Sequence, residues 1–398
     1  VRLAFVVPRY GREVIGGGEL HCRQIAERLA PHCEVDVLTT CALDYETWAD
    51  HYPPGEEMLN GVRVRRFRVT QPRDPATFAA FTARIFHGER TILDEIAWMV
   101  RQGPCSPDLL DAIRRGRPEY DLFVFFIYLY FPTYFGLPLV PDKAVLVPLA
   151  HDEPPFHLDL FRSVFYLPQL IVYQTAAERD LVHWKHGAAL GPGLILSGGV
   201  DPPPAADPAA FRARHRLFDD PLLVYVGRIN ASKGCHELLA YFDAYKRARP
   251  GRLKLVLLGP VEMPLPRRPD LLALGTVSDE EKYAALRAAS VFVLPSHFES
   301  LSYATLEAWQ CGTPALLSGA SAVLREHCHA SGGGLYYRDC AEFTAALDLL
   351  LGDPALRCAL GERGRRYVER TYLWEMVEAR YLTAFRELAE RLRERTGA

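Results

Sequence analysis

The chain has 398 residues, 49% of them hydrophobic and 24% charged, a length that exceeds one ordinary core and fits two soluble domains of about 150–200 residues each. A formal net charge of −3 lacks the basic excess on which nucleic-acid binding rests, so no nucleic-acid partner is expected. Nine cysteines without any C-x-x-C spacing argue against a disulfide framework and against zinc, and leave a reducing cytoplasm as the expected compartment.

Strand-like and helix-like patterns alternate from the start. Leu3–Val7 reads as a fully buried strand with no basic leader or cleavage site before it, so no secretory signal is expected. Gly16-Gly17-Gly18 and Glu19 follow and open a helix over Glu19–Leu29, which lets the backbone approach a phosphate or an acceptor closely. The run is not G-x-G-x-x-G, which weakens a nicotinamide-cofactor reading. Strands are expected at Val35–Leu38 and Val62–Val69. The arginines of residues 61–69 suit either a charge-protected edge strand or an anionic membrane surface.

Residues 76–115 read as an inserted helical region, with Phe78, Phe81, Ile85, Ile92, Ile96 and Met99 near helical spacing, serving either the acceptor or the scaffold. From Leu122 to Val140 there is no charge over 19 residues, close to a membrane span in length. Pro132, Gly136, Pro138 and the tyrosines favour instead a buried strand over Leu122–Ile127 followed by a loop. The strand Ala144–Leu149 runs into His151, Asp152 and Glu153. A histidine there can hydrogen-bond a substrate oxygen or a loop carbonyl, and the two acids can orient an acceptor hydroxyl or cap a helix before Pro154-Pro155. Leu170–Tyr173 and Leu194–Leu196 complete the first half.

Asp201–Pro221 is proline-rich and reads as a linker, after which the pattern restarts with a strand at Leu222–Val226. The strand ends in VGRINASKG, residues 226–234, where Gly227 turns the chain and Arg228 and Lys233 offer a planar fork and a point charge suited to a diphosphate. A helix (Cys235–Arg247), a strand (Leu253–Leu258), the turn Gly275-Thr276-Val277, a helix (Asp279–Ala289) and a strand (Val291–Leu294) follow. Residues 294–315, LPSHFESLSYATLEAWQCGTPA, place Glu299 in a strand-to-helix loop and Glu307 inside the helix. Free N–H groups at the helix start favour an anion, and carboxylates accept from sugar and ribose hydroxyls. The plainer alternative is an amphipathic helix with Leu301, Leu306 and Trp309 in the core and solvated glutamates. After the strand Ala315–Leu317, Val377–Leu392 reads as a long amphipathic helix with Tyr381, Phe385, Leu388 and Leu392 on one face.

The segment from Glu299 to Glu307 resembles the donor-site motif of the retaining glycosyltransferases of family 4, written E-G-F-G-L with E-A three residues on. Ser300 and Ser302 replace its two glycines, and their hydroxyls can cap the helix or donate to phosphate. The V-G-R…K-G segment, the G-G-x-E loop and His151 also match the family. The resemblance implies an α/β GT-B fold of two facing Rossmann-like doubly wound domains with a cleft between them. Its boundaries are expected at residues 1–201, a linker 202–220, a donor-binding domain 221–372 and a helix 373–398 returning to the first domain.

It further implies a hexose-type sugar moved from a nucleoside-diphosphate donor, UDP- or GDP-linked, to a glycan, lipid-linked or small-molecule acceptor by front-face attack. Arg228 and Lys233 would face the phosphates, Glu299 the donor sugar, Glu307 the ribose and His151 the sugar from the other domain. Gly17, Gly18, Gly227, Val277, Ser300, Leu301, Ser302 and Tyr303 would line the donor. With no D-x-D in the chain, neither a metal nor a cofactor is expected. Cell-surface glycan assembly in the cytoplasm, with an open reading of peripheral contact at the inner membrane face, is the expected setting. The alternatives are natural-product glycosylation, a phosphorylase or epimerase, and a GT-B binding protein weakened in catalysis. Oligomeric state is not read from these residues.

Overall fold

The computed structural model describes residues 1–14, 16–187 and 189–397, the side chains of Thr396 and Gly397 apart. The chain divides into two compact units, one of Val1–Gly198 with Val377–Ala398 and one of Gly199–Met376.

The first unit holds strands β1 (Arg2–Val6), β2 (Glu34–Thr40), β3 (Gly55–Leu59), β4 (Val62–Phe67), β5 (Leu122–Phe126), β6 (Ala144–Val147), β7 (Leu170–Tyr173) and β8 (Gly193–Ile195). They form one eight-stranded sheet in the order β3-β4-β2-β1-β5-β6-β7-β8, parallel except for the β3–β4 hairpin. Its central strands are near-continuous apolar runs because helices cover both faces of a parallel sheet, and Phe123, Val124, Phe125 and Phe126 are fully buried.

Residues 76–115 fall into three helices, Pro75–His87, Ile92–Gln102 and Pro107–Gly116. Asp74 caps the first, accepting from the Thr77 N–H with Pro75 at the opening position, and Thr91 and Asp94 form a reciprocal capping box on the second. The apolar stretch 122–140 divides into β5 and a short helix, Phe131–Gly136, and among the described residues no helix is long and apolar enough to cross a membrane. The arginine stripe differs from the edge-strand expectation. β4 lies between β2 and β3 and is no edge strand, and its cations have carboxylate partners: Arg63 with Asp36, Arg65 with Glu56 at 3.0 Å and Arg66 with Glu57 at 2.5 Å.

The helix Trp374–Gly397 contributes to the first unit from Val377 onward. Tyr381, Phe385 and Leu388 are buried on its inner face, the Tyr381 hydroxyl donates to the Leu196 carbonyl at 2.6 Å, and Arg393 pairs with Asp121 at 2.8 Å.

The second unit holds β9 (Leu222–Val226), β10 (Lys254–Leu258), β11 (Leu271–Gly275), β12 (Val291–Leu294), β13 (Ala315–Ser318) and β14 (Gly334–Tyr337), a fully parallel sheet in the order β11-β10-β9-β12-β13-β14. The proline-rich stretch is not featureless linker. Asp207 caps a helix over Pro208–Arg214, and Phe211 and Leu217 are buried in the core of this unit. The helix Tyr303–Gln310 is anchored by Trp309, whose indole N–H donates to the Gly333 carbonyl at 2.9 Å. Gly364 lies against that ring so closely that a Cβ would come within 2.3 Å of it.

Candidate active site

In the second unit the strand order reverses between β9 and β12, and open α/β sheets bind ligands at the carboxyl ends of the strands flanking such a reversal. The chain leaving β9 turns at Gly227, φ 151°, and the Tyr225 hydroxyl fixes the next peptide by donating to the Arg228 carbonyl at 2.7 Å. Asn230 closes the loop by accepting from the Lys233 N–H at 3.0 Å. Gly234 caps the following helix at φ 72°, where a Cβ would lie 2.4 Å from the Pro295 carbonyl oxygen. Only glycine permits both that backbone and that approach. The two loops that the sequence singled out are thereby brought together. Lys233 Nζ sits 2.7 Å from Glu299 Oε1. Arg228, half-buried in the same loop, has no carboxylate within 4.0 Å among the described residues.

Glu307 is neither solvated nor part of the apolar core. Its Oε1 lies 2.7 Å from Lys282 Nζ, and Lys282 also reaches Asp279 at 3.0 Å. Burial lifts the Glu307 carboxyl and Lys282 pulls it back; burial likewise works against the Lys282 ammonium, but Glu307 and Asp279 take it above its ordinary value. At 2.7 Å, we read the pair as ionised at neutral pH. In both pairs one carboxylate oxygen is held by a lysine, and the other keeps its capacity to accept a ligand hydroxyl.

The serines behave differently from each other. Ser302 occupies the left-handed region at φ 69°, while Ser300 does not. Neither hydroxyl caps the helix through its backbone: Ser302 Oγ bonds Thr305 Oγ1 at 2.8 Å, and no side-chain cap is made. The Leu301 side chain is buried in the core, so that residue offers a ligand only its backbone. Tyr303 opens the helix half-buried, its hydroxyl pKa raised by burial and then by Glu307. Val277 packs its side chain against the core, on the turn between β11 and the helix Asp279–Ala288, which Ser278 caps.

In the first unit the reversal falls between β1 and β5. Gly17 and Gly18 begin the helix Gly17–Leu29. A Cβ on Gly17 would meet nothing within 4 Å, whereas one on Gly18 would come 2.8 Å from Ile127 and 2.9 Å from Leu149. Those neighbours follow β5 and β6 at φ 66° and 53°, uncommon for residues with a side chain and costly for a β-branched one. Glu19 pairs with Arg9 at 2.6 Å, both almost wholly buried.

His151 follows the end of β6. Glu178, 1% exposed, holds the Leu149–Ala150 peptide just before His151: its Oε1 accepts from the Ala150 N–H at 2.7 Å and its Oε2 from the Gln174 N–H at 2.6 Å. Burial raises the Glu178 carboxyl to about 7 against those hydrogen bonds. Glu153 makes no helix cap; it accepts from the Tyr128 hydroxyl at 3.1 Å, and Asp152 pairs with His157 at 2.7 Å.

Arg9, Glu178, Lys282 and His327 were missed from sequence. Thr175-x-x-Glu178 is a helix-start signature, but the glutamate goes to the strand ends instead of to the cap. Lys282 and His327 carry no local signal, their partners lying 25 and 26 residues away in the chain.

Residues 209–367 match the family model described as glycosyl transferases group 1. The chain is 27% identical to the D-inositol 3-phosphate glycosyltransferase of Kineococcus radiotolerans over 96% of this chain and 92% of that relative. The capsular polysaccharide biosynthesis glycosyltransferase CapM of Staphylococcus aureus is 26% identical over 44% of this chain and 49% of its own. Among solved structures, Anabaena HepE in complex with UDP and glucose matches with a TM-score of 0.69 at 13% identity, covering 97% of this chain and 99% of its own. At that identity the likeness is one of fold.

Proposed function

From the premise that this chain is a group 1 glycosyltransferase with the GT-B fold, we propose that it moves a hexose-type sugar from a UDP- or GDP-linked donor to an acceptor hydroxyl with retention of configuration and without a metal. The observation that carries the reading is the cluster at the β9/β12 reversal, where the Lys233–Glu299 pair stands beside an Arg228 that has no carboxylate partner among the described residues. Such a cation at a strand's carboxyl end suits a diphosphate, and the lysine-held carboxylate beside it suits sugar hydroxyls.

In the proposed step the bond from the anomeric carbon to the β-phosphate oxygen breaks, and the acceptor oxygen bonds the same face. Its proton passes to the leaving phosphate. Arg228 and Lys233 stabilise the charge that develops there, the largest electrostatic demand of the reaction. Glu299 accepts from donor-sugar hydroxyls and Glu307 Oε2 from the ribose. Val277 and the peptides around it meet the nucleobase through the backbone. His151, in the loop after β6 where Glu178 accepts from the Ala150 N–H, is the proposed sugar contact that the resemblance implies.

The acceptor proposed is a cell-surface glycan, lipid-linked intermediate or small molecule, in keeping with relatives that are an inositol 3-phosphate glycosyltransferase and a capsular polysaccharide biosynthesis glycosyltransferase. The test is to incubate the protein with UDP-glucose and with GDP-mannose, with EDTA and a panel of sugar, inositol and lipid-linked acceptors, and read the product by proton NMR. An α-linked product from an α-linked donor supports the proposal. A β-linked product refutes retention, loss of turnover in EDTA refutes metal independence, and nucleotide binding without transfer or donor hydrolysis favours a binding protein.

A further inference from the structure

Ser302 stands where the resembling motif has its second glycine, and its backbone is left-handed, φ 69° and ψ 71°. A side chain disfavours that conformation, so an ordinary sequence would let the turn relax. Two contacts oppose this. The Ser302 hydroxyl bonds Thr305, and His327 Nε2 lies 2.6 Å from the carbonyl oxygen of Leu301, the peptide joined to Ser302.

A carbonyl only accepts, so Nε2 carries the proton. Burial first, opposed by that hydrogen bond and by Glu299, lowers the His327 pKa to about 4, which keeps the ring neutral at physiological pH. Its Nδ1 is then an acceptor, and the Tyr367 hydroxyl faces it at 3.4 Å while pairing with Tyr372 at 2.9 Å. His327 is 1% exposed, on the helix Ala322–Ser331, with Trp309 edge-on against it. A leucine would fill the same space without the cost of burying a polar ring.

We propose that His327 is a positioning residue for Glu299, its N–H clamping the Leu301–Ser302 peptide in the turn that the motif's glycine would otherwise permit. The inference rests on the reading of Glu299 as the donor-sugar acceptor given under Proposed function. The clamp acts two residues from Glu299, whose Oε1 is already held by Lys233. The phosphate and ribose side chains proposed above, Arg228, Lys233 and Glu307, stand outside the clamped peptide, so the clamp is expected to act more on the sugar than on the nucleotide.

The test is calorimetry on the full chain with two probe pairs, UDP against UDP-glucose and GDP against GDP-mannose, for the wild type, Glu299→Gln, His327→Leu and His327→Leu with Ser302→Gly. In the pair that binds, the wild type prefers the nucleotide sugar, and Glu299→Gln removes that preference. His327→Leu is expected to reduce it about tenfold while nucleotide affinity stays within about twofold. Adding Ser302→Gly restores it, because glycine adopts the left-handed turn without the side-chain strain that the clamp offsets. A preference unchanged in His327→Leu while Glu299→Gln abolishes it overturns the clamp alone, as does a loss that Ser302→Gly does not rescue. No preference in the wild type overturns the Glu299 reading and the clamp with it. Should His327→Leu fail to fold, His327→Gln, whose amide donor sits off the imidazole's line, is measured with and without Ser302→Gly. A reduced preference restored by glycine supports the clamp, and an unchanged one overturns it.

Discussion

In the second unit the Lys233–Glu299 pair leaves 26% and 12% of its side chains exposed, and Lys282–Glu307 leaves 17% and 19%. The Arg9–Glu19 pair beside the reversal of the first unit leaves 5% and 6%. Both units thus place charge at the carboxyl end of a parallel sheet, but one keeps it within reach of a ligand and the other seals it inside. A partly exposed pair can offer its free carboxylate oxygen to a ligand hydroxyl while the lysine stays in place. A sealed pair cannot, and breaking it strands a buried charge. The first unit therefore uses Glu178 to hold the backbone of Ala150 and Gln174, while the second holds Glu299 and Glu307 by one lysine each, the arrangement on which their proposed substrate contacts rest.

The largest effect expected from this contrast is on folding. Arg9→Leu leaves Glu19 buried without its cation and should cost about 3–5 kcal/mol by urea denaturation; a cost under about 1 kcal/mol would show that the pair is not sealed. Next comes Arg228→Ala, which should lower kcat about 100- to 1000-fold with little change in stability, as removal of a group facing transition-state charge does. A fall in stability with unchanged turnover would make Arg228 a scaffold residue. Glu307→Ala should weaken nucleotide binding by about 1.5–3 kcal/mol, read by calorimetry. Unchanged affinity would remove Glu307 from the ribose.

The smallest expected effect is a pH slope. Folding raises the Glu178 carboxyl to about 7, so the folded protein holds a proton that the unfolded chain releases at lower pH. This stabilising contribution is complete below the unfolded carboxyl range and is lost as pH rises through about 7. Unfolding free energies of wild type minus Glu178→Gln should therefore fall, on the order of 1–2 kcal/mol, between pH 5 and pH 7. A flat difference would place the Glu178 carboxyl outside that range.

What was legible in the sequence follows the same divide between local and tertiary causes. Leu170–Tyr173, Leu222–Val226 and Val291–Leu294 are strands with the bounds expected, because an unbroken apolar run bounded by turn residues has few other ways to be buried. β3, β11 and β14 lie at sheet edges and were missed: β3 is polar and largely exposed, while β11 and β14 are short apolar runs left only partly buried. Arg228, Lys233, Glu299 and Glu307 could be named because glycines, strand ends and a helix start mark their positions. That Glu307 is held by Lys282 and Leu301 by His327 could not be, since each contact depends on how separate helices pack. Ser302 is instructive. The sequence shows a residue that dislikes a left-handed turn, and only the fold shows that the turn is kept.

The contrast between the two units comes down to whether the second unit's charges meet a diphosphate. Calorimetric titration of wild type and Arg228→Ala with UDP, GDP and ADP, first without metal and then with magnesium, tests that most directly. The account predicts that one nucleotide binds the wild type clearly best without magnesium and that Arg228→Ala weakens that binding tenfold or more, roughly one charge-assisted contact. Equal binding by wild type and variant, or no binding of any nucleotide, would contradict it.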